Sequence, residues 1–128
     1  MDKYQLAEIF PLIWCRESSA FPSLWTPEYP AIGQSLQTAK LARYFLGGNI
    51  LLMVVSKDPC LLNFVNFTQT GEEIDFAETS LTRGLFPVHT QVMNTVDLLA
   101  LGVAYPDIDR RYLILVDRFE KETGVMVP

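Results

Sequence analysis

Residues 33–35 mark a predicted transition from a loop to a helix. Residues 18–30 contain three prolines and predict a loop, and Gly33-Gln34 follows it closely. From Gln34 to Leu46 the apolar residues recur at helical spacing, and Gly47-Gly48 predicts the end of that helix. The first N–H groups of a helix are unpaired and favour negative charge. Ser35 therefore lies at a helix start whose free N–H groups could stabilise a negatively charged reacting group. Alternatively, the serine simply caps the helix.

The rest of the chain predicts an α+β fold, an antiparallel β-meander packed with helices. Helical spacing predicts helices over Tyr4–Glu17, over Thr90–Leu101 with Val92, Val96 and Leu99 inward, and from Pro106 onward with Ile108, Tyr112, Leu115 and Phe119 buried. Apolar and β-branched runs predict a central strand over Asn49–Ser56 and further strands over Cys60–Thr68 and Glu73–Ala77.

Composition narrows the classes of function. The chain has 128 residues, of which 49% are hydrophobic, and we expect a single domain over residues 1–128. Its net charge of −5 argues against a nucleic-acid partner. The longest apolar run, Ile50–Val55, is too short to span a membrane. Cys15 and Cys60 are too few for a disulfide framework or a zinc site, and each is expected to be buried. We therefore expect no metal, no cofactor and a cytoplasmic location.

Several short blocks occur in the order found in a known family. They are Trp25-Thr26-Pro27-Glu28, Gly33-Gln34-Ser35 with Thr38-Ala39, Gly47-Gly48 before a strand, Glu73-Ile74-Asp75-Phe76 after Gly71, and Tyr105-Pro106-Asp107 with Arg111-Tyr112 and Leu115. Together they extend from about Trp14 to Phe119. In this set the chain resembles the YunG-like family of small bacterial proteins.

The resemblance implies a papain-like arrangement of cysteine, histidine and aspartate. In that family the Gly-Gln pair is followed by a cysteine, and the second strand carries the histidine. At these positions the chain has Ser35 and Asn63, while Asp75 matches the acid and Asn66 matches a family asparagine. The resemblance thus implies a hydrolase-type site in which two of the three catalytic residue types are replaced.

The replaced residues predict a catalytically inactive site. A serine hydroxyl needs an adjacent general base, and an asparagine at position 63 cannot accept a proton near neutral pH. We therefore expect a binding or interaction module for a peptide, a protein or a small ligand. Its groove is predicted to include Trp25, Gln34 and Asn66 together with the three positions of the degenerate triad.

Alternatives remain open at this point. One is a serine-dependent amide or ester hydrolase in which Ser35 attacks, His89 is the base and Asp75 orients it. Another is an acidic inhibitor or immunity-type protein, which the net charge suggests. A purely structural interpretation makes Ser35 a helix cap and pairs Asp75 with a backbone N–H or with Arg83.

Overall fold

The computed structural model describes residues 1–57, 60–79, 82–84 and 86–128 as four helices and four strands. In chain order they are α1 (Lys3–Ile13), α2 (Ser35–Leu46), β1 (Asn49–Lys57), β2 (Cys60–Phe67), β3 (Glu73–Ile74), β4 (His89–Met93), α3 (Thr95–Ala104) and α4 (Pro106–Thr123). The fold is α+β, as the sequence predicts.

The four strands form one antiparallel sheet in the order β3-β2-β1-β4. β1 lies in the interior of the sheet, which agrees with its prediction as a central strand and with its lack of polar alternation. The predicted meander β1-β2-β3 is confirmed, although β3 is only two residues long. Because β3 pairs only with Asn66 and Phe67, the preceding part of β2 extends beyond it.

The segment before α3 is a strand, so the prediction of a helix over Thr90–Leu101 is wrong in its first half. Thr90 and Val92 pair with Met53 and Leu51 of β1. The helix begins only after Asn94, whose side chain accepts the N–H of Asp97 in a capping box. The β-branched residues before the cap therefore extend the sheet.

The predicted inward face of that helix is also wrong. Val92, Val96 and Leu99 are exposed, and the buried residues are Met93 and Leu98. The helix start after Asn94 sets which side chains of α3 face the core.

The other helices differ from prediction mainly at their ends. α1 begins after Asp2, which forms a capping box with Gln5, and ends at Ile13 rather than Glu17. Pro11 lies within this helix. α4 begins at Pro106 as predicted, and Leu115 and Phe119 on its inner face are fully buried.

Two apolar clusters hold α2 in place. Leu41 and Ala42 pack with α1 and α4 in the first cluster, while Leu36 and Ala39 pack with β1, β4 and α3 in the second. Because α2 is anchored on both sides, the position of its first residue, Ser35, is fixed by the core of the protein.

Two further expectations concern the cysteines and the membrane. Cys15 is free and buried, as predicted. The side chain of Cys60 lies outside the described residues. In the part of the chain that the structure describes, no helix is long and apolar enough to cross a membrane.

Candidate functional site

Ser35 is the first residue of α2 and lies against β2. The N-cap residue is Gln34, so the expectation that Ser35 caps the helix is wrong. The Ser35 Oγ instead accepts a hydrogen bond from the backbone N–H of Phe64 at 3.3 Å. This N–H is available because β3 ends before it reaches Phe64. The contact places the Ser35 hydroxyl beside residue 63, where the resemblance puts the catalytic histidine.

Asn63 and Asp75 are joined directly. The Asn63 Nδ2 donates a hydrogen bond to Asp75 Oδ2 at 2.9 Å; the Asn63 side chain is buried and Asp75 is half-buried. Asp75 immediately follows β3, whose pairing with β2 brings it alongside Asn63. The structure therefore brings together Ser35, Asn63 and Asp75, the three positions that the resemblance assigns to a degenerate triad. Arg83 is not the partner of Asp75, because it pairs with Glu78 at 3.7 Å.

The Asp75 carboxyl lies in an environment that disfavours its charge. Burial raises the pKa of Asp75 above its ordinary value of 3.8, and the nearby charge of Glu78 raises it further. The hydrogen bond from Asn63 and the backbone N–H of Ala77 oppose this shift. Among the described residues none makes a hydrogen bond of normal geometry with the buried Oδ1, although the Ala77 N–H still favours the charged form.

We expect Asp75→Asn to make the protein more stable at pH 7, because the amide removes a poorly solvated charge and still accepts from Asn63. The folded pKa of Asp75 lies above the unfolded value. Its contribution to stability is thus fully present below the unfolded pKa and is lost as the pH rises through the folded pKa. Urea unfolding should show an advantage of the variant at pH 7 that shrinks towards pH 4. The exposed Asp107→Asn is the matched control, and an advantage that grows in acid would contradict this assignment.

His89 is not brought to Ser35. It begins β4, where it pairs with Val54 and is exposed. β1 separates β4 from β2, and two inter-strand spacings amount to about 10 Å. Ser35 lies at β2, so the placement of His89 gives no support to the serine-hydrolase alternative.

The three predicted ligand-binding residues make hydrogen bonds within the protein. Gln34 is fully buried, where its Nε2 donates to Cys15 O and its Oε1 accepts from Ser18 Oγ, both at 2.9 Å. Asn66 Nδ2 donates to Ala39 O at 2.9 Å and ties β2 to α2. Trp25 Nε1 donates to a loop carbonyl at 3.0 Å. None of the three lines the cavities described next.

Two neighbouring cavities meet at Ser35 in the described part of the chain. The smaller, about 60 Å³, contacts both Ser35 and Asn63. The larger, about 450 Å³, is called here the Ser35 cleft; it is lined by Ala20, Phe21, Gly33, Ser35, Leu36, Gln37, Leu61, Leu62, Phe64, Leu101, Tyr105, Ile108 and Arg111. Its walls are mostly apolar with a few polar groups, which is typical of a small-molecule site.

Arg111 is the functional candidate that sequence reasoning missed. The i,i+4 spacing of Asp107 and Arg111 would favour an ion pair on the solvent side of α4, but Asp107 pairs with Arg110 at 3.4 Å. Arg111 lines the Ser35 cleft instead. Its spacing was the available signal, because it lies three residues after Ile108 and four before Leu115, both on the inner face of α4.

The comparisons with known proteins agree with the residue blocks. Residues 2–124 match the family described as YunG protein. Neither the curated proteins nor the solved structures include a match to this chain. Since the matched range spans nearly the whole sequence, the chain belongs to the YunG protein family.

Proposed function

We propose that this protein has a papain-like site that has lost its chemistry and serves as a binding module. The observation that carries the proposal is the 2.9 Å hydrogen bond from Asn63 Nδ2 to Asp75. A catalytic imidazole would donate the same bond to the same carboxylate. Asn63 therefore preserves the orientation of the catalytic group while lacking its basic nitrogen.

The described contacts of Ser35 do not include a group that could activate its hydroxyl as a nucleophile. Ser35 Oγ accepts the N–H of Phe64, a contact that withdraws electron density from the oxygen. Its neighbour Asn63 has no group that accepts a proton near neutral pH. The Asp75 carboxyl is engaged by Asn63, and no described contact joins it to Ser35. Among the described residues, therefore, no general base is placed to assist attack by the Ser35 hydroxyl.

Binding is the function that the same geometry still supports. The Ser35 cleft remains beside the inert hydroxyl and has a volume of about 450 Å³, within the ordinary range for small-molecule sites. Leu62 and Tyr105 on its walls are 48% and 61% exposed, so the cleft opens to solvent. We propose that it holds a ligand in the bacterial cytoplasm without converting it.

Chemical probes test the loss of activity. After incubation with a fluorophosphonate, which labels activated serines, intact mass and peptide mapping should show no adduct at Ser35. The Ser35→Ala variant gives the background at that position, and a serine hydrolase of known activity checks the reagent. Labelling of Ser35 above that background would refute the proposal.

A further inference from the structure

Arg111 brings a positive charge to the Ser35 cleft and forms no ion pair with any of the described residues. Its Nε is buried and has no hydrogen-bond partner among the described residues. Burial lowers the pKa of Arg111, yet the guanidinium stays charged at neutral pH. Asp109, the nearest acid in sequence, pairs with Lys40 at 3.4 Å. Asp107 has its hydrogen bond with Arg110, although its charge partly offsets the lowering of the Arg111 pKa. A buried donor of this kind costs free energy until an acceptor reaches it.

The charge of Arg111 is unopposed within the cleft itself. The described residues that line it include no aspartate and no glutamate, in a chain whose net charge is −5. Other described arginines are paired: Arg16 with Pro22 O, Arg43 with Gly48 O, and Arg118 with Ile13 O. An acidic protein that leaves one arginine unpaired in an apolar cleft has a local preference for an anion.

The opposite wall adds to this preference. α2 starts at the cleft with Ser35, Leu36 and Gln37, and the side chain of its N-cap residue, Gln34, makes no capping hydrogen bond. The Gln34 amide, which could have supplied the cap, is committed to Cys15 and Ser18. The positive end of α2 and Arg111 therefore border the same space.

We propose that the Ser35 cleft binds a small aliphatic carboxylic acid, with its carboxylate on Arg111 and its alkyl chain along Leu36, Leu62 and Phe64. The fork of the guanidinium matches a carboxylate in a bidentate pair. Among the described residues that line the cleft Arg111 is the single cation, which suits one negative charge better than the two of a phosphate monoester. The inference rests on the proposed binding function and names its ligand class.

Octanoate is the probe that tests this inference. In ¹H–¹⁵N NMR titrations of the full chain, octanoate should shift the amides of Ser35, Leu62 and Phe64. Arg111→Gln should weaken its binding about tenfold through the lost charge-assisted pair. The matched control is Arg83→Gln, which removes an exposed arginine outside the Ser35 cleft and should leave the affinity unchanged. Thermal unfolding of both variants verifies that they are folded.

Four results would overturn the proposal. Octan-1-ol could bind as tightly as octanoate, the two arginine variants could weaken octanoate equally, or octyl phosphate could bind more tightly. A peptide ending in leucine that bound more tightly than octanoate would likewise assign the cleft to a different ligand. Each of these outcomes leaves the proposed inert site standing, because that site is judged by labelling of Ser35.

Discussion

The double substitution Ser35→Cys/Asn63→His is expected to create a thiol that reacts with iodoacetamide about tenfold faster at pH 7 than the thiol of Ser35→Cys alone. The start of α2 favours a thiolate in both variants. Only the double variant adds an imidazole, which Asp75 can orient as it now orients Asn63. The measurement is the alkylation rate of the peptide containing position 35.

The control for this experiment is the double variant with Asp75→Ala added. It keeps both new side chains but removes the carboxylate that fixes the imidazole. We expect its alkylation rate to fall towards that of Ser35→Cys. Cys15 is buried, so its alkylation in the folded wild type sets the background. Equal alkylation rates for the single and double variants would show that the side chain at position 63 does not act on the thiol at position 35.

Gly33→Ala is expected to destabilise the protein by about 3 kcal/mol. Gly33 has φ +75, where an L side chain is strained. A Cβ at this position would also overlap Ser19 Oγ and lie 2.8 Å from the backbone nitrogens of Ala20 and Phe21. The Gly33 carbonyl accepts hydrogen bonds from Ala20 N at 2.9 Å and from Gln37 Nε2 at 2.6 Å. The substitution therefore forces the loop away from the start of α2.

Gly71→Ala is the matched control for this effect. Gly71 has φ +86, but nothing lies within 4 Å of the position of its Cβ. We expect the free energy of unfolding of this variant to fall by only about 1 kcal/mol, the cost of a positive φ for an L residue. Chemical denaturation of the two variants separates strain from crowding. Equal losses of stability would contradict the close approach of the loop to Gly33.

The elements that a local sequence pattern identifies could be predicted from the sequence. The apolar run of β1 requires an interior strand, and the stripe of α4 from Ile108 to Phe119 identifies its buried face. β4 was missed because Thr90 and Val92 fall at helical spacing with the later apolar residues, and only pairing with β1 makes them a strand. In this segment the cap at Asn94 was the local signal that separates strand from helix.

The proximity of Asn63 and Asp75 was predictable, whereas the surroundings of Ser35 were less so. The meander brings Asn63 to Asp75, which follows from the antiparallel pairing of β2 and β3. The role of Gln34 depends on the loop that carries Ser18, and a loop conformation has no periodic signature. The orientation of Arg111 is likewise a tertiary outcome, since Asp107 can pair with either neighbouring arginine and pairs with Arg110.

The pH dependence of alkylation at position 35 tests whether residue 63 is placed to act on residue 35 as a catalytic histidine would. In Ser35→Cys the apparent pKa of the new thiol should lie near the ordinary cysteine value of about 8.5, lowered only by the helix start. In Ser35→Cys/Asn63→His we expect the apparent pKa of that thiol to be at least about one unit lower, because the restored imidazolium stabilises the thiolate. Coincident pH profiles would contradict the claim that this site kept its geometry and lost only its chemical groups.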